Sequence, residues 1–288
     1  MKKVSKAIIP AAGFGTRFLP ITKAVPKEML PILDRPSIDF VIEECLASGI
    51  DDICIVISRG KEAILNYLGS NVTLENALIK AHKQEKLSLI NKFKDVKFTF
   101  LLQPEMNGTA KAIELCKNFT GNEPFLVLFP DDVIYNPSLP VAKQLINAYE
   151  TTGAPIVGCQ VMPKEEAVNY GVMDIVEQKG KYVLIKGFQE KPSIENICSN
   201  VTSLGRFLLT PDIFDYIVRT KPVVNGEVYL PSAIDLMAKE TNVYAYIFDG
   251  IRYDMGSKFG FLKANIEFAL RDPVLKDQLI AFIKGNSK

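Results

Sequence analysis

The sequence predicts an α/β fold in three layers, with a central mixed, mostly parallel sheet between two layers of helices. The chain has 288 residues, of which 48% are hydrophobic, enough to build a substantial core. A buried strand is predicted at Val4–Pro10, a helix at Ser37–Ser48, ended by Gly49, and a second buried strand at Asp52–Ser58. This alternation indicates parallel strands joined by crossover helices, as in Rossmann-like sheets.

The segments that follow continue this alternation and then change it. A helix is predicted at Lys61–Leu68, and the polar, charged stretch Ser70–Asp95 is interpreted as a helical insertion outside the sheet. Beyond Tyr170, two short strands around Lys179-Gly180 indicate a hairpin. Further strands are predicted at Phe98–Leu102, Pro124–Phe129, Ile156–Met162, Ser203–Leu209 and Val243–Phe248, and further helices at Gly108–Cys116, Ser138–Thr151, Pro211–Val218, Pro231–Lys239 and Lys258–Leu270.

Composition excludes several classes of partner. The net charge is +1, which provides no broad basic field for nucleic acid or an anionic membrane. No stretch is apolar for long enough to span a bilayer, and the apolar run after Met1-Lys2-Lys3 is too short for a signal peptide. Five cysteines without a C-x-x-C pair are typical of free thiols in a reducing compartment, so a cytoplasmic location is expected.

The stretch Ile8–Pro31 carries the first sign of chemistry. Gly13 and Gly15 directly follow the first predicted strand, where they let the backbone turn sharply and offer N–H groups to phosphate oxygens. The prolines downstream exclude a regular helix or central strand. We therefore expect an ordered loop that presents Arg17 and Lys27 to a polyphosphate.

Two familiar phosphate motifs do not fit this stretch. A P-loop requires G-x-x-x-x-G-K-[ST], and Lys23 is not in that frame; the dinucleotide fingerprint requires a third glycine where Phe18 stands. What the stretch does resemble, in G-x-G-T-R followed by P-K-E-M-L-P-I, is the signature of sugar-nucleotide pyrophosphorylases. The resemblance is strongest to the bacterial UTP–glucose-1-phosphate uridylyltransferases within that family. Matching segments follow in order along the chain, at 129–132, 170–172, 190–192, 205–207, 225–227 and 253–256.

The resemblance implies a nucleotide-diphospho-sugar transferase fold in one domain, residues 1–288. Its nucleotide-binding half would cover about residues 1–130 and its sugar-phosphate-binding half about 131–288. Arg17 and Lys27 would act as catalytic cations on the triphosphate and the pyrophosphate leaving group. Gln103 would read the base edge and Gly108 would let the base pack closely. The nucleotide-binding residues implied are Ala11, Ala12, Gly13, Gly15, Thr16, Gln103 and Gly108.

The same resemblance implies the acceptor and metal residues. Asp131 and Asp254 would bind Mg²⁺, which usually takes one or two carboxylates plus substrate phosphates, and the neighbouring Asp132 would orient a metal-bound water. Lys191 would hold the sugar phosphate and place the nucleophile, and Glu190 would accept hydrogen bonds from sugar hydroxyls. The sugar-phosphate-binding residues implied are Gly171, Glu190, Lys191 and Gly205.

The reaction implied is attack of glucose 1-phosphate on the α-phosphorus of UTP, giving UDP-glucose and pyrophosphate. Two segments depart from the family pattern. Residues 107–112 read N-G-T-A-K-A where the uridylyltransferases usually carry K-G-L-G-H-A, and residues 226–232 read G-E-V-Y-L-P-S where they carry N-E-I-Q-L-T-D. A nucleotidylyltransferase for dTTP, CTP or another sugar 1-phosphate therefore stays open.

Two alternatives come from other classes. A catalytically silent nucleotide-sugar sensor would have no need to retain the cations and carboxylates together. A glycosyltransferase would be expected to carry a D-x-D motif, whereas Asp131 and Asp132 are adjacent. The resemblance also implies a homodimer or homotetramer. The helix at Lys258–Leu270 is one candidate contact, although a core-facing role fits its pattern better.

Overall fold

The computed structural model describes residues 2–223 and 226–286, and it shows one large sheet and two small ones. Within these residues the strands, in chain order, are β1 (Lys6–Pro10), β2 (Pro31–Ile32), β3 (Arg35–Pro36), β4 (Asp52–Ile57), β5 (Lys97–Leu102), β6 (Phe125–Leu128), β7 (Asp132–Tyr135), β8 (Ile156–Val161), β9 (Gly171–Lys179), β10 (Tyr182–Glu190), β11 (Val201–Leu209), β12 (Val243–Ile247) and β13 (Ile251–Asp254).

The helices flank the large sheet or connect its strands. In chain order they are α1 (Ser37–Ala47), α2 (Glu62–Leu68), α3 (Val72–Lys80), α4 (Gln84–Ile90), α5 (Thr109–Glu114), α6 (Lys117–Thr120), α7 (Val141–Thr152), α8 (Lys164–Ala167), α9 (Ile213–Arg219), α10 (Leu230–Glu240), α11 (Lys258–Arg271) and α12 (Leu275–Asn286). None of the helices in this part of the chain is both long and apolar enough to cross a membrane.

The large sheet has nine strands in the order β5-β4-β1-β6-β11-β8-β12-β10-β9. Strand β1 pairs in parallel with β4 and β6, and β5 pairs in parallel with β4. The pairings of β9, β10 and β11 are antiparallel, whereas β12 and β8 are parallel. The predicted mixed, mostly parallel sheet is confirmed: only β10 and β11 run against the other seven strands, and they bring the antiparallel pairs into the sheet.

Two hydrophobic clusters lie on opposite faces of this sheet and explain why the fold has three layers. Along β1, Ile8 packs into the cluster that contains Phe214 of α9 and Met237 of α10. Its neighbour Ile9 packs into the other cluster, with Val41 of α1 among its members. Successive side chains of a strand point to opposite faces, so a strand that is apolar throughout requires helices on both sides. The predicted α/β/α layering is confirmed.

The predicted strands and helices all have counterparts, with ends that move by three residues or fewer. The insertion at Ser70–Asp95 forms α3 and α4, which have no buried residues and lie outside the sheet. The two-stranded sheet of β7 and β13 was not predicted. A third, smaller core of Ile32, Val133, Tyr253, Met255 and Ala264 packs α11 against it.

Candidate active site

The chain leaves β1 at Pro10 and enters the irregular loop that the sequence predicts. Three single 3-10 turns, Thr16–Phe18, Ile21–Lys23 and Lys27–Met29, form this loop. The Thr22 hydroxyl donates to the carbonyl of Gly15 at 2.8 Å and closes the glycine turn. The loop encloses a small cavity of about 150 Å³, lined by Gly15, Thr16, Arg17, Phe18, Lys27 and Gly256. The two predicted phosphate-binding cations therefore share one cavity.

Lys27 forms an ion pair with Asp131 across the sheet end, with Nζ 2.6 Å from Oδ2. Burial acts to lower the pKa of Lys27, but the Asp131 carboxylate outweighs it, so the pKa of Lys27 is raised. For Asp131 burial acts in the opposite direction, and Lys27 together with Arg17 still lowers its pKa. Lys27 is thus a cation and Asp131 an anion at neutral pH.

Asp131 and Asp254 are brought side by side by the two-stranded sheet. Strands β7 and β13 are antiparallel, with Asp254 opposite Asp132, and the N–H of Met255 donates to the carbonyl of Asp131 at 2.7 Å. One Asp254 oxygen accepts the N–H of Gly256 at 2.9 Å, and the other faces the Tyr170 hydroxyl at 3.5 Å. The backbone segments that carry the two predicted metal ligands are therefore adjacent, although they lie far apart in sequence.

The neighbouring carboxylate, Asp132, is held by a cation that the sequence interpretation missed. Arg252 Nε donates to Asp132 Oδ1 at 2.5 Å, and its Nη1 donates to the Tyr170 hydroxyl at 3.0 Å. Asp132 thus has a charged partner within the protein, and its assignment toward the metal stays a prediction. Alternation along β13 puts Arg252 and Asp254 on the same face, but a strand of four residues is too short to be predicted from its pattern.

A second buried ion pair lies beneath the loop. Lys61 Nζ contacts Glu28 Oε2 at 2.6 Å, and both side chains are almost fully buried. Burial raises the pKa of Glu28 and lowers that of Lys61, against the mutual attraction of the two charges. Because Glu28 is the neighbour of Lys27 in sequence, this pair anchors the 3-10 turn that presents Lys27. The sequence pattern placed Lys61 only at the start of the predicted helix 61–68 and did not predict its ion pair with Glu28.

A larger cavity of about 530 Å³ opens beside the small one, and Arg17 lines both. It gathers all six of the predicted acceptor and metal residues. These are Asp131, Gly171, Glu190, Lys191, Gly205 and Asp254. The lining also contains Thr109, Asn169, Tyr170, Ser203, Tyr229, Pro231, Arg252 and the rings of Phe129, Phe188 and Phe207. A cavity of mixed apolar walls and convergent charges is the usual form of a small-molecule site.

Lys191 stands at the rim of this cavity in an unusual backbone conformation. Its φ is +48°, a left-handed value that costs a non-glycine residue about 1–3 kcal/mol and is concentrated at functional sites. Its N–H donates to the carbonyl of Tyr170 at 3.0 Å, which holds the turn after β10. Nζ is 4.0 Å from Glu190 Oε1, and burial raises the pKa of Glu190.

The predicted base-side residues lie at the strand ends, but the structure gives them other contacts. The N–H of Ala11 donates to the carbonyl of Val56 at 2.7 Å, and the Ala12 carbonyl accepts the Ser58 hydroxyl. Gln103 Nε2 donates to Asn107 Oδ1 and to the Gly108 carbonyl. An amide nitrogen has two N–H groups, and these two hydrogen bonds use both of them. Only the side-chain carbonyl oxygen of Gln103 would therefore be left to form a hydrogen bond with a base.

Gly108 has a structural requirement of its own. Its φ is +104°, and a Cβ there would lie 2.3 Å from the carbonyl oxygen of Val228. Glycine is therefore needed for the approach of the 226–230 segment, whatever role it has toward a base. Gln103 and Gly108 lie outside the lining of the large cavity, whereas Thr109 is part of it. Their assignment to the nucleotide stays a prediction.

Arg206 and Glu44 join the layers directly behind the site. Arg206 donates to both Glu44 oxygens, to the Phe129 carbonyl at 3.1 Å and to the Asp132 carbonyl at 2.7 Å. Glu44 Oε1 in turn accepts the N–H of Ala142 in α7. Arg206 is 1% exposed, so this ion pair holds α1, α7, β11 and the Asp131-Asp132 turn together.

We predict that Arg206→Met destabilises the protein by about 3–5 kcal/mol, because it leaves the Glu44 charge and two carbonyl groups buried without their partner. Urea unfolding followed by circular dichroism measures the change. The matched control is Arg219→Met, which breaks an exposed ion pair with Glu240 and is expected to leave the unfolding midpoint nearly unchanged. Equal midpoints for both variants would contradict the structural role of Arg206.

Comparisons with known proteins agree with this architecture. The sequence model of the nucleotidyl transferase family matches residues 6–269. A UTP–glucose-1-phosphate uridylyltransferase of Staphylococcus haemolyticus is 46% identical over 285 residues, which cover 99% of each chain. A solved UDP-glucose pyrophosphorylase in complex with UDP-glucose is 36% identical, with a TM-score of 0.85 over 94% of this chain and 100% of the other.

A UTP-bound enzyme of the same type from Acinetobacter baumannii is 30% identical. Its TM-score is 0.91, over 99% of this chain and 100% of the other. The family match covers the loop, both carboxylate strands and the acceptor side of the large cavity. The chain therefore belongs to the nucleotidyl transferase family.

Proposed function

We propose that this chain is a UTP–glucose-1-phosphate uridylyltransferase, which forms UDP-glucose and pyrophosphate. The observation that carries the proposal is the large cavity, where the cations Arg17 and Lys191 face the carboxylates Asp131 and Asp254. Two anionic substrates can meet there only if cations cancel their repulsion. The curated relatives with this activity, which match almost the entire chain, support the choice of UTP and glucose 1-phosphate.

The chemistry requires positioning more than proton transfer. An oxygen of the sugar phosphate forms a bond to the α-phosphorus, and the bond to the β-phosphate oxygen breaks in line, with its electrons leaving on pyrophosphate. The nucleophile is already anionic, so no general base is needed. Lys191 holds the attacking phosphate, while Arg17 and Lys27 neutralise the leaving group. Glu190 accepts hydrogen bonds from sugar hydroxyls.

Enzymes of this family generally use a divalent metal, and we propose Mg²⁺ held by Asp131 and Asp254. Two carboxylates that line the same cavity fit this ion, because Mg²⁺ prefers oxygen ligands and completes its shell with substrate phosphates and water. Within residues 2–223 and 226–286, no cluster of three or more His, Cys, Asp and Glu side chains could hold a metal by itself. When bound, the ion would neutralise phosphate charge and align both substrates.

Pyrophosphate release from a panel of substrates tests the proposal. With glucose 1-phosphate, UTP is expected to outperform dTTP, CTP and ATP by at least about tenfold in kcat/KM, a difference of about 1.4 kcal/mol. EDTA should abolish release and Mg²⁺ should restore it. A preference for another triphosphate would reassign the base, and UDP-glucose binding without any release would favour a nucleotide-sugar sensor.

We also expect a homodimer or homotetramer in the cytoplasm. Helix α11 buries Ala264 in the third core, as a core-facing helix should, yet it exposes Phe259 and Leu262. Exposed apolar side chains on one helix are typical of a contact with another protein chain. They support self-association through α11 as the first arrangement to examine by sedimentation.

A further inference from the structure

We propose that Thr109 is a positioning residue that fixes the sugar side of the large cavity by holding the first turn of α10. This inference rests on the proposed function. The Thr109 hydroxyl oxygen accepts the N–H of Leu230, the first residue of α10, at 3.0 Å. The first N–H groups of a helix have no partner within it, and the residue before α10, Tyr229, provides no side-chain cap. Thr109 supplies the missing acceptor from a different helix.

The first turns of α10 form part of the cavity wall. Tyr229 and Pro231, on either side of Leu230, both line the large cavity. One turn further along the helix, Asp235 Oδ1 accepts the N–H of Phe188 at 2.9 Å. Phe188 also lines the cavity and lies two residues before Glu190 on β10. The position of α10 therefore determines the positions of Tyr229, Pro231 and Phe188 on the acceptor side of the cavity.

The base side is held by other contacts. Gln103 secures Asn107 and Gly108 through its own amide. Two backbone hydrogen bonds also join this loop to Val228: from Val228 N–H to the Asn107 carbonyl, and from Ala110 N–H to the Val228 carbonyl. Loss of the Thr109 hydroxyl would leave all of these intact. It would release only the start of α10, so the effect should fall on the sugar phosphate rather than on UTP.

This contact joins the two segments in which the chain departs from the family pattern. The related uridylyltransferases usually carry leucine where this chain has Thr109, and leucine has no hydroxyl to accept the Leu230 N–H. They also carry glutamine and threonine where Tyr229 and Pro231 line the cavity here.

Thr109→Val removes the acceptor while keeping the branched shape, so it tests the tether directly. We expect the KM for glucose 1-phosphate to rise about five- to tenfold, the lower end of the cost of one buried N–H left without its partner, with the KM for UTP changed less than twofold. Thr109→Ser keeps the hydroxyl and should retain the low KM. Thr241→Val removes a hydroxyl at the other end of α10, where it donates to the Met237 carbonyl, and should change neither KM.

Hydrogen exchange of the peptide that contains Leu230 gives a second readout, and Thr109→Val should accelerate it. An unchanged KM for glucose 1-phosphate in Thr109→Val, or equal increases in both KM values, would overturn the inference even if the wild type makes UDP-glucose. Wild-type protein that forms no UDP-glucose would instead contradict the proposed function. In that case the exchange measurement still decides whether Thr109 holds α10.

Discussion

Asp131→Asn is expected to lower kcat for UDP-glucose formation by about 10²–10³-fold, the loss typical of removing one preorganised electrostatic group. The substitution keeps the shape of the side chain and the backbone contact with Met255, so the fold should survive. It removes the charge that faces Lys27 at 2.6 Å and that we assign to Mg²⁺. Steady-state rates at saturating UTP and glucose 1-phosphate measure the loss.

A titration with Mg²⁺ separates the two roles of Asp131. If the carboxylate holds the metal, half-maximal activity of Asp131→Asn requires a higher Mg²⁺ concentration than the wild type does. If it serves only to place Lys27, kcat falls while the Mg²⁺ requirement stays the same. The matched control is Asp215→Asn on the exposed side of α9, which should change neither quantity. A folded Asp131→Asn enzyme with near-normal kcat would refute both roles.

Lys191→Met should reduce kcat/KM for glucose 1-phosphate by about 10²–10³-fold, because a lost charge-assisted contact and a misplaced nucleophile act together. The Lys191 side chain is 65% exposed in the absence of substrate, so stability should change by no more than about 0.5 kcal/mol. The KM for UTP should change far less. Rates measured with each substrate varied in turn provide the comparison.

The control for Lys191→Met is Lys186→Met, on the strand β10 that leads to Lys191. Lys186 is 62% exposed and lies 3.8 Å from Asp174, away from the cavity. Lys186→Met removes the same charge from a similarly exposed position, so the kinetics of this variant should match those of the wild type. Equal losses in the two variants would indicate a general electrostatic effect of β10. A change confined to the KM for UTP would show that Lys191 contacts UTP and would contradict its assignment to the sugar phosphate.

The elements that the sequence predicted well are those whose pattern is local. β1, α1 and β4 were placed within two residues of their observed ends, because buried strands and amphipathic helices repeat their apolar residues within a few positions. The irregular loop around Gly15 was equally predictable, since prolines exclude regular structure at fixed positions. Arg17, Asp131, Lys191 and Asp254 were assigned from short contiguous motifs that resemble those of the family, and the structure brings all four to the lining of one cavity.

The contacts that the sequence could not provide are those between distant segments. Strands β7 and β13 have four residues each, which is too short to show a clear period. The pairing of these two strands, which brings the segments of Asp131 and Asp254 together, was therefore not predicted from the sequence pattern. Arg252 lies 120 residues from Asp132, and no local signal pairs them. The orientation of Gln103 and the need for glycine at 108 depend on a loop and on Val228, which only the folded chain brings together.

The sequence by itself therefore determined the α/β/α layering, the irregular loop after β1 and the residues proposed to carry the chemistry, because each follows from short-range periodicity or from a contiguous motif. The tertiary structure alone decided which of these residues meet. It placed Lys27 against Asp131, assigned Asp132 to Arg252, reversed β11 within a sheet expected to be mostly parallel, and tied Thr109 to α10. These outcomes depend on strand order and register. The local sequence patterns are compatible with many strand orders and registers, and only the packing of the complete core selects one of them.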